Sequence, residues 1–223
     1  RLRRLGAALR QIQHGEPVTQ AVLASGFESE AGFREAFAQV FGNPPSAVDR
    51  ESSIWVNRVV TPLGSMIMGV HDRGLCLLEF AERRMLDNQL KQLSKRMGRV
   101  FLPGDHPMME KVKRELDAYF SGTLRKFTVP LQAPGTEFQE AVWRALQAIP
   151  YGETRSYSDV AEKIDHADAV RAVGRANGDN RIAILIPCHR VVGSDGELTG
   201  YGGGLWRKEY LLAMEQAQAF HLT

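Results

Sequence analysis

The stretch Arg181-Ile182-Ala183-Ile184-Leu185-Ile186-Pro187-Cys188-His189-Arg190 decides how the rest of the chain is read. Arg181 to Ile186 is apolar and rich in β-branched residues after its first position, which predicts a buried strand. A rigid proline then delivers a cysteine followed directly by a histidine. A free cysteine is only about a few per cent thiolate at neutral pH, and burial lowers that fraction further, so attack on carbon requires a base. His189 is adjacent, yet neighbours on a strand point to opposite faces. A bridging water is therefore expected between the two, with Glu215 on the last predicted helix orienting the histidine as the third member of a relay. A buried structural cysteine beside a hydrogen-bonded histidine fits the same two residues.

Working outward, residues 133–223 read as a series of capped helices. Thr136 is expected to cap a helix from Glu137 to Ala148, Ser156 one from Tyr157 to Ile164, and Asp168 one from Ala169 to Asn177. A glycine-rich loop runs from Gly193 to Gly204, and a final helix from Trp206 to about Ala217. The helices 157–164 and 169–177 make a helix-turn-helix pattern. The second carries Ala169, Ala172, Gly174 and Ala176 on one face, which suits either close approach to a groove or close packing in the core. Arg171 stands near its start, where base contacts are usually made. An enzyme that alters a base in duplex DNA must swing it out of the stack, and an arginine side chain can fill the hole. The glycine-rich loop and Tyr201 would wall the pocket.

Upstream, residues 53–132 predict a small α/β unit. Trp55–Val60, Ser65–Val70 and Leu75–Phe80 are strand-like, and Met85–Met97 and Pro107–Phe120 are amphipathic helices. Cys76 lies among apolar strand residues and reads as a buried structural thiol. Residues 1–52 are helical in pattern. Leu2, Leu5, Leu9 and Ile12 fall at helical spacing before His14-Gly15. Val18 to Ser25 gives a short helix, Gly26 a turn, and Ser29 caps a helix from Glu30 to Phe41 with Phe33, Phe37 and Val40–Phe41 on one face. Gly42-Asn43-Pro44-Pro45 stops it. A helical hairpin without a DNA role fits this pattern as well as a helix-turn-helix does.

Composition narrows the function classes. The 223 residues are 43% hydrophobic and 24% charged, ordinary for a soluble globular protein. No apolar run approaches bilayer length and no signal peptide is visible, so a cytoplasmic location and no membrane partner are expected. Two cysteines are expected to be free thiols and cannot supply a four-cysteine zinc site; no metal and no cofactor are anticipated. The net charge is +2, but residues 133–223 carry 9 basic and 12 acidic side chains. Binding of nucleic acid by charge alone is thereby excluded; helix N-termini, backbone amides and a few placed arginines must do it.

Pro187-Cys188-His189-Arg190-Val191, with Asn180 upstream, resembles the signature of the O6-alkylguanine-DNA alkyltransferases. The likeness extends through Ile149–Glu153, Arg171-Ala172-Val173-Gly174, Thr199-Gly200-Tyr201 and Leu211–Glu215, and covers about residues 54–217. Ser25-Gly26-Phe27-Glu28-Ser29, Phe33, Phe37, Phe41-Gly42 and Pro45-Ser46 resemble the second helix-turn-helix of AraC-type DNA-binding domains. The combination is similar to the Ada type of the alkyltransferase family.

The resemblance implies a mixed α/β fold in three parts. These are a partial helix-turn-helix (1–52), a ribonuclease-H-like α/β domain (53–132), and a winged-helix-like catalytic and DNA-binding domain (133–223). It implies stoichiometric, irreversible transfer of an alkyl group from O6-alkylguanine, with O4-alkylthymine as a further substrate, to Cys188. His189 acts through water with Glu215 behind it, and Asn180 braces the cysteine loop. Tyr157 assists flipping and offers a proton to guanine, Arg171 replaces the flipped base, and Ala172 and Gly174 face the DNA. Tyr201, Gly202, Val191 and Pro187 are expected around the substrate. Minor-groove binding of double-stranded DNA and a monomer are implied too. Gly202 departs from relatives with a serine there, and the zinc domain of Ada-type proteins is not matched, so the chain is expected to be a fragment or a shortened relative. A transcriptional regulator with an inactive transferase half, or a binder that flags lesions, is the competing reading.

Overall fold

The computed structural model describes residues 18–41 and 53–220. The expected helix through Leu2–Ile12, the stop at His14-Gly15, the stop at Gly42–Pro45, and the side chains of Phe37, Val40 and Phe41 lie outside the described residues. Helix α1 (Val18–Ala24) and helix α2 (Glu30–Phe41) are joined by a turn at Gly26. Ser29 caps α2, its Oγ accepting from the Gly32 amide at 3.1 Å.

Three antiparallel strands follow: β1 (Ile54–Thr61), β2 (Gly64–His71) and β3 (Gly74–Phe80). Their hairpins close where Gly64 and Gly74 take positive φ. Helix α3 (Leu86–Met97) ends on left-handed Gly98, and β4 (Phe101–Pro103) then adds in parallel to β1, giving the order β3-β2-β1-β4. Sequence periodicity missed β4, because three residues are too short to show alternation. Helix α4 (Pro107–Phe120) packs Met109, Val112, Leu116 and Tyr119 into the core.

The sheet buries both faces. Met66, Met68, Leu75, Leu78 and Phe80 join α4 and the C-terminal half in the main core. Ile54, Cys76 and Leu77 join Val22, Phe33, Leu93 and Phe101 in a second cluster. The register between β2 and β3 shifts at Gly69/Val70, and the extra residue on β3 is Cys76. Cys76 is buried, as expected of a structural thiol, and donates to the Gly69 carbonyl at 3.3 Å.

The C-terminal half begins with α5 (Glu137–Gln147), closed at its start by a reciprocal capping box between Thr136 and Gln139. Strand β5 (Arg155–Ser156) leads into α6 (Tyr157–Lys163), which has the same box between Ser156 and Asp159. Asp168 does not cap the next helix. It lies inside a 3-10 turn, Ala167–Ala169, and α7 (Val170–Gly178) starts after it with no side-chain cap.

The largest correction falls on residues 181–186, which form a buried turn rather than a strand. Only Ile182 bridges to the sheet, through Leu78, and Ile184 is left-handed at φ 73°. An apolar run signals burial but not which partner satisfies its backbone. Here the partner is a side chain. Asn180 Nδ2 donates to the carbonyls of Ile186 (2.9 Å) and Ile182 (3.4 Å), while its Oδ1 accepts from the Ile182 amide (3.0 Å). Cys188 therefore opens a 3-10 turn, Cys188–Arg190, before β6 (Val191–Val192) pairs with β5. The final helix, α8, spans Leu205–Phe220. Among the described residues, no helix is long and apolar enough to cross a membrane.

Candidate functional site

The turn at 181–188 is docked on the open edge of β3. Leu78 donates to Arg181 O and Ala183 donates to Leu78 O, both at 2.8 Å. The far end of α7 holds it from the other side, Asn177 Nδ2 donating to the Cys188 carbonyl at 3.3 Å. Asn180, besides bracing the backbone, donates to the Cys188 sulfur at 3.1 Å. Cys188 is 6% exposed. Burial pushes its thiol up to about 11, against the smaller lowering effect of the Asn180 hydrogen bond.

Behind the thiol lies a buried charged cluster. Glu215 on α8 accepts from His189 Nε2 (2.9 Å), from Arg190 Nε (2.8 Å) and Nη2 (2.9 Å), and from the Tyr119 hydroxyl (2.6 Å). Burial opposes its ionisation, but the His189 and Arg190 contacts hold the carboxyl well below the usual range. An ionised Glu215 can only accept, so Nε2 carries the imidazole proton. Burial, outweighing Glu215, holds His189 below its ordinary value and hence neutral. Its Nδ1 is buried, presents a lone pair and has no hydrogen-bond partner. A general base needs that combination of charge state and free lone pair.

In front of the thiol is a cavity of about 10 Å³ lined by Glu79, Arg83, Asn177, Gly178, Ala183, Cys188 and the loop Gly200–Gly203. Tyr201 and Gly202 are among its lining residues. The Tyr201 hydroxyl is buried with no partner. Val191 and Pro187 do not line the cavity. Val191 is fully buried, opposite Arg155, and its carbonyl accepts from Lys208 Nζ at 2.6 Å. Lys208 also donates to Thr199 O at 2.7 Å, which ties the glycine-rich loop to β6. Burial lowers the lysine to about 8.

Arg171 is exposed on the first turn of α7, with Ala172 and Gly174 partly exposed beside it. Ala176 is in the core, not on that face. Gly174 also faces the ring of Tyr157 on the first turn of α6; a Cβ there would lie 3.8 Å from it. The Tyr157 hydroxyl is 3.4 Å from Thr199 Oγ1. Sequence reasoning missed Glu79, Arg83, Tyr119, Lys208 and the ion pair of Arg190 with Glu215. The available signal was Glu79 itself, a lone acid in the otherwise apolar β3 with Arg83 four residues on.

The buried thiol has a direct consequence. At pH 8 an unhindered cysteine is roughly a quarter thiolate, whereas one titrating near 11 is about a thousandth. Iodoacetamide should label Cys188 roughly a hundredfold more slowly in the native protein than in urea. The native rate should keep climbing about tenfold per unit past pH 9, where an ordinary thiol levels off. Labelling of the native and unfolded chains at equal rates would overturn this. Because the folded thiol titrates above the unfolded one, it contributes stability below about pH 8.5 that is lost as pH rises toward the folded value.

Fold and site together define a protein with a buried thiol that opens on a small cavity beside a paired-helix surface. Residues 59–133 match the family model for the 6-O-methylguanine DNA methyltransferase ribonuclease-like domain. Residues 137–217 match that of the same group's DNA-binding domain, and residues 1–51 match a helix-turn-helix domain model. The chain is 43% identical over 162 residues to a methylated-DNA–protein-cysteine methyltransferase of Methanosarcina barkeri, covering 71% of this chain and 94% of that protein. It is 62% identical over 102 residues to the enzyme of that name from Mycolicibacterium paratuberculosis, spanning 46% of this chain and 62% of that protein. The crystal structure of Mycobacterium tuberculosis OGT in complex with DNA superposes with a TM-score of 0.64 at 41% identity, over 74% of this chain and 94% of that one. The chain belongs to the methylated-DNA–protein-cysteine methyltransferase family.

Proposed function

We propose that this protein repairs alkylated DNA by moving the alkyl group from the O6 oxygen of guanine to Cys188, once per molecule. The observation that carries the reading is the buried Cys188 beside a cavity, backed by a neutral His189 whose free Nδ1 can take a proton. In the transfer the S–C bond forms as the C–O6 bond breaks, and the electron pair passes to guanine. The thiol proton leaves through a water to His189 Nδ1. Tyr157 offers a proton to the base, because neutral guanine leaves more readily than its anion. Asn180 fixes the sulfur. The product is a thioether with no route back, so each molecule acts once. O4-alkylthymine is a further substrate on this reading.

The lesion reaches the thiol by flipping. The helix pair α6–α7 enters the minor groove with Ala172 and Gly174 against the backbone, and Arg171 takes the place of the extruded base. The acidic balance of residues 133–223 favours this contact of shape over one of charge. We assign 1–52 to a second DNA-contacting unit, 53–132 to a supporting domain and 133–223 to catalysis. The helix-turn-helix match supports a promoter-binding role of the Ada kind for the first unit. The protein works as a cytoplasmic monomer.

Arg171 is exposed and is not among the residues lining the Cys188 cavity, so its removal tests flipping. Arg171→Ala should slow repair of duplex O6-methylguanine by about ten- to a hundredfold while leaving transfer from the free base within about twofold. Equal losses on both substrates would show that Arg171 has no part in extruding the base.

A further inference from the structure

Arg83 is placed as no surface arginine would be. It follows β3, and its Nη1 pairs with the carboxylate of Glu79. Nη1 also reaches the Asn180 carbonyl at 3.3 Å, and Nη2 donates to the Gly178 carbonyl. Glu79 is 0% exposed, and its other oxygen accepts from the Phe80 amide at 2.9 Å. The guanidinium plane is thus fixed by three acceptors at one wall of the cavity that holds Cys188. Across the cavity the loop Gly200–Gly203 comes down directly onto it. A Cβ at Gly202 would sit 2.6 and 2.7 Å from the two guanidinium nitrogens, and one at Gly203 would sit 2.6 Å from the Phe80 ring. The space left beside the sulfur is about 10 Å³, the size of a single water site.

We propose that Arg83, locked by Glu79, is a specificity-determining residue that limits the alkyl group Cys188 can accept to small ones such as methyl. The proposal rests on the transferase reading above. A larger group such as benzyl undergoes the same displacement, with S–C bond formation and C–O6 cleavage. To enter, however, it must push the guanidinium off the Glu79 carboxylate oxygen and the Gly178 carbonyl that it pairs with; the Asn180 carbonyl keeps a bond from Gln89 Nε2 at 3.4 Å. A methyl group makes no such demand. Gly202 belongs to the same device, since a side chain there would compete with Arg83 for one volume.

The test compares single-turnover rates on duplexes carrying O6-methylguanine or O6-benzylguanine. Glu79→Gln/Arg83→Ala removes the wall without leaving a buried carboxylate unpaired. It should raise the benzyl-to-methyl rate ratio by about tenfold or more. Arg83→Lys keeps the charge on Glu79 but loses the planar fork, and should move the ratio the same way by less. A ratio within about twofold of the unmodified protein in both variants would overturn the proposal. Gly202→Ala gives an independent arm. It should cost methyl transfer about tenfold in the native background and under about threefold in the double variant, since contacting residues are not additive. Equal cost in both backgrounds would also overturn it. Failure of the unmodified protein to take methyl onto Cys188 would instead reject the transferase reading itself.

Discussion

Cys188→Ala ends methyl transfer altogether while leaving affinity for lesion-bearing duplex within about threefold of the unmodified protein. No other group at the cavity can replace the sulfur. Burial holds the Tyr201 hydroxyl protonated, far above the ordinary phenol value, and the Glu79 carboxylate is committed to Arg83 and the Phe80 amide. The fold should tolerate the change at a cost of about 1 kcal/mol, because Asn180 keeps its bond to the Ile186 carbonyl. Residues proposed to meet DNA (Tyr157, Arg171, Ala172) stand on other elements and are untouched. Cys76→Ala serves as the control: its thiol is in the second core cluster, held near 12 by burial, and transfer should persist. Residual transfer in Cys188→Ala, measured with labelled methyl, would place the acceptor elsewhere.

Glu215→Gln should strike stability and rate together. The carboxylate is the sole anion against the buried Arg190 among the described contacts, and breaking a buried pair by removing one partner costs about 3–5 kcal/mol. Its effect on chemistry follows from the lost charge. A neutral glutamine, its oxygen still accepting from His189 Nε2, Arg190 Nη2 and Tyr119, no longer stabilises the imidazolium that forms when Nδ1 takes the thiol proton, so His189 becomes a weaker base. Loss of general-base assistance lowers the rate by about 10²–10⁴. The pH dependence separates the two effects. Glu215 titrates below its unfolded value, so its contribution to stability is present above about pH 4.5 and is lost as pH falls. Thermal melts of the variant should lack that part of the acid sensitivity. A variant with unchanged melting and unchanged rate would remove Glu215 from both roles.

What the sequence disclosed follows from the range of each signal. Thr136 and Ser156 announce helices through contacts three residues away, so α5 and α6 were legible almost to the residue. The hairpins of β1–β3 were legible for the same reason. Asp168 misled because a good capping residue needs the chain to turn into a helix directly after it, and here a 3-10 turn intervenes. The run 181–186 misled because Asn180, one residue outside it, supplies the hydrogen bonds that a strand partner would have supplied. At the site, Cys188, His189, Asn180 and Glu215 stand in the family signature; in the structure Asn180 contacts the Cys188 sulfur and Glu215 contacts His189. Glu79 and Arg83 were not legible, since a charged residue on a strand normally marks the solvent face. Only the tertiary packing of the 181–188 turn against β3 turns them inward. Val191 and Pro187 were adjacent to the cysteine in sequence but are directed away from its cavity by the 3-10 turn.

The central claim, that Cys188 is a one-time alkyl acceptor, is met most directly by peptide mass spectrometry. The protein is mixed with duplex DNA carrying one O6-methylguanine. The expected result is one added methyl on the peptide containing Cys188, matched mole for mole by lost lesion, with no further turnover. Lesion binding without added mass on that peptide, or lesion loss exceeding the protein present, would contradict it.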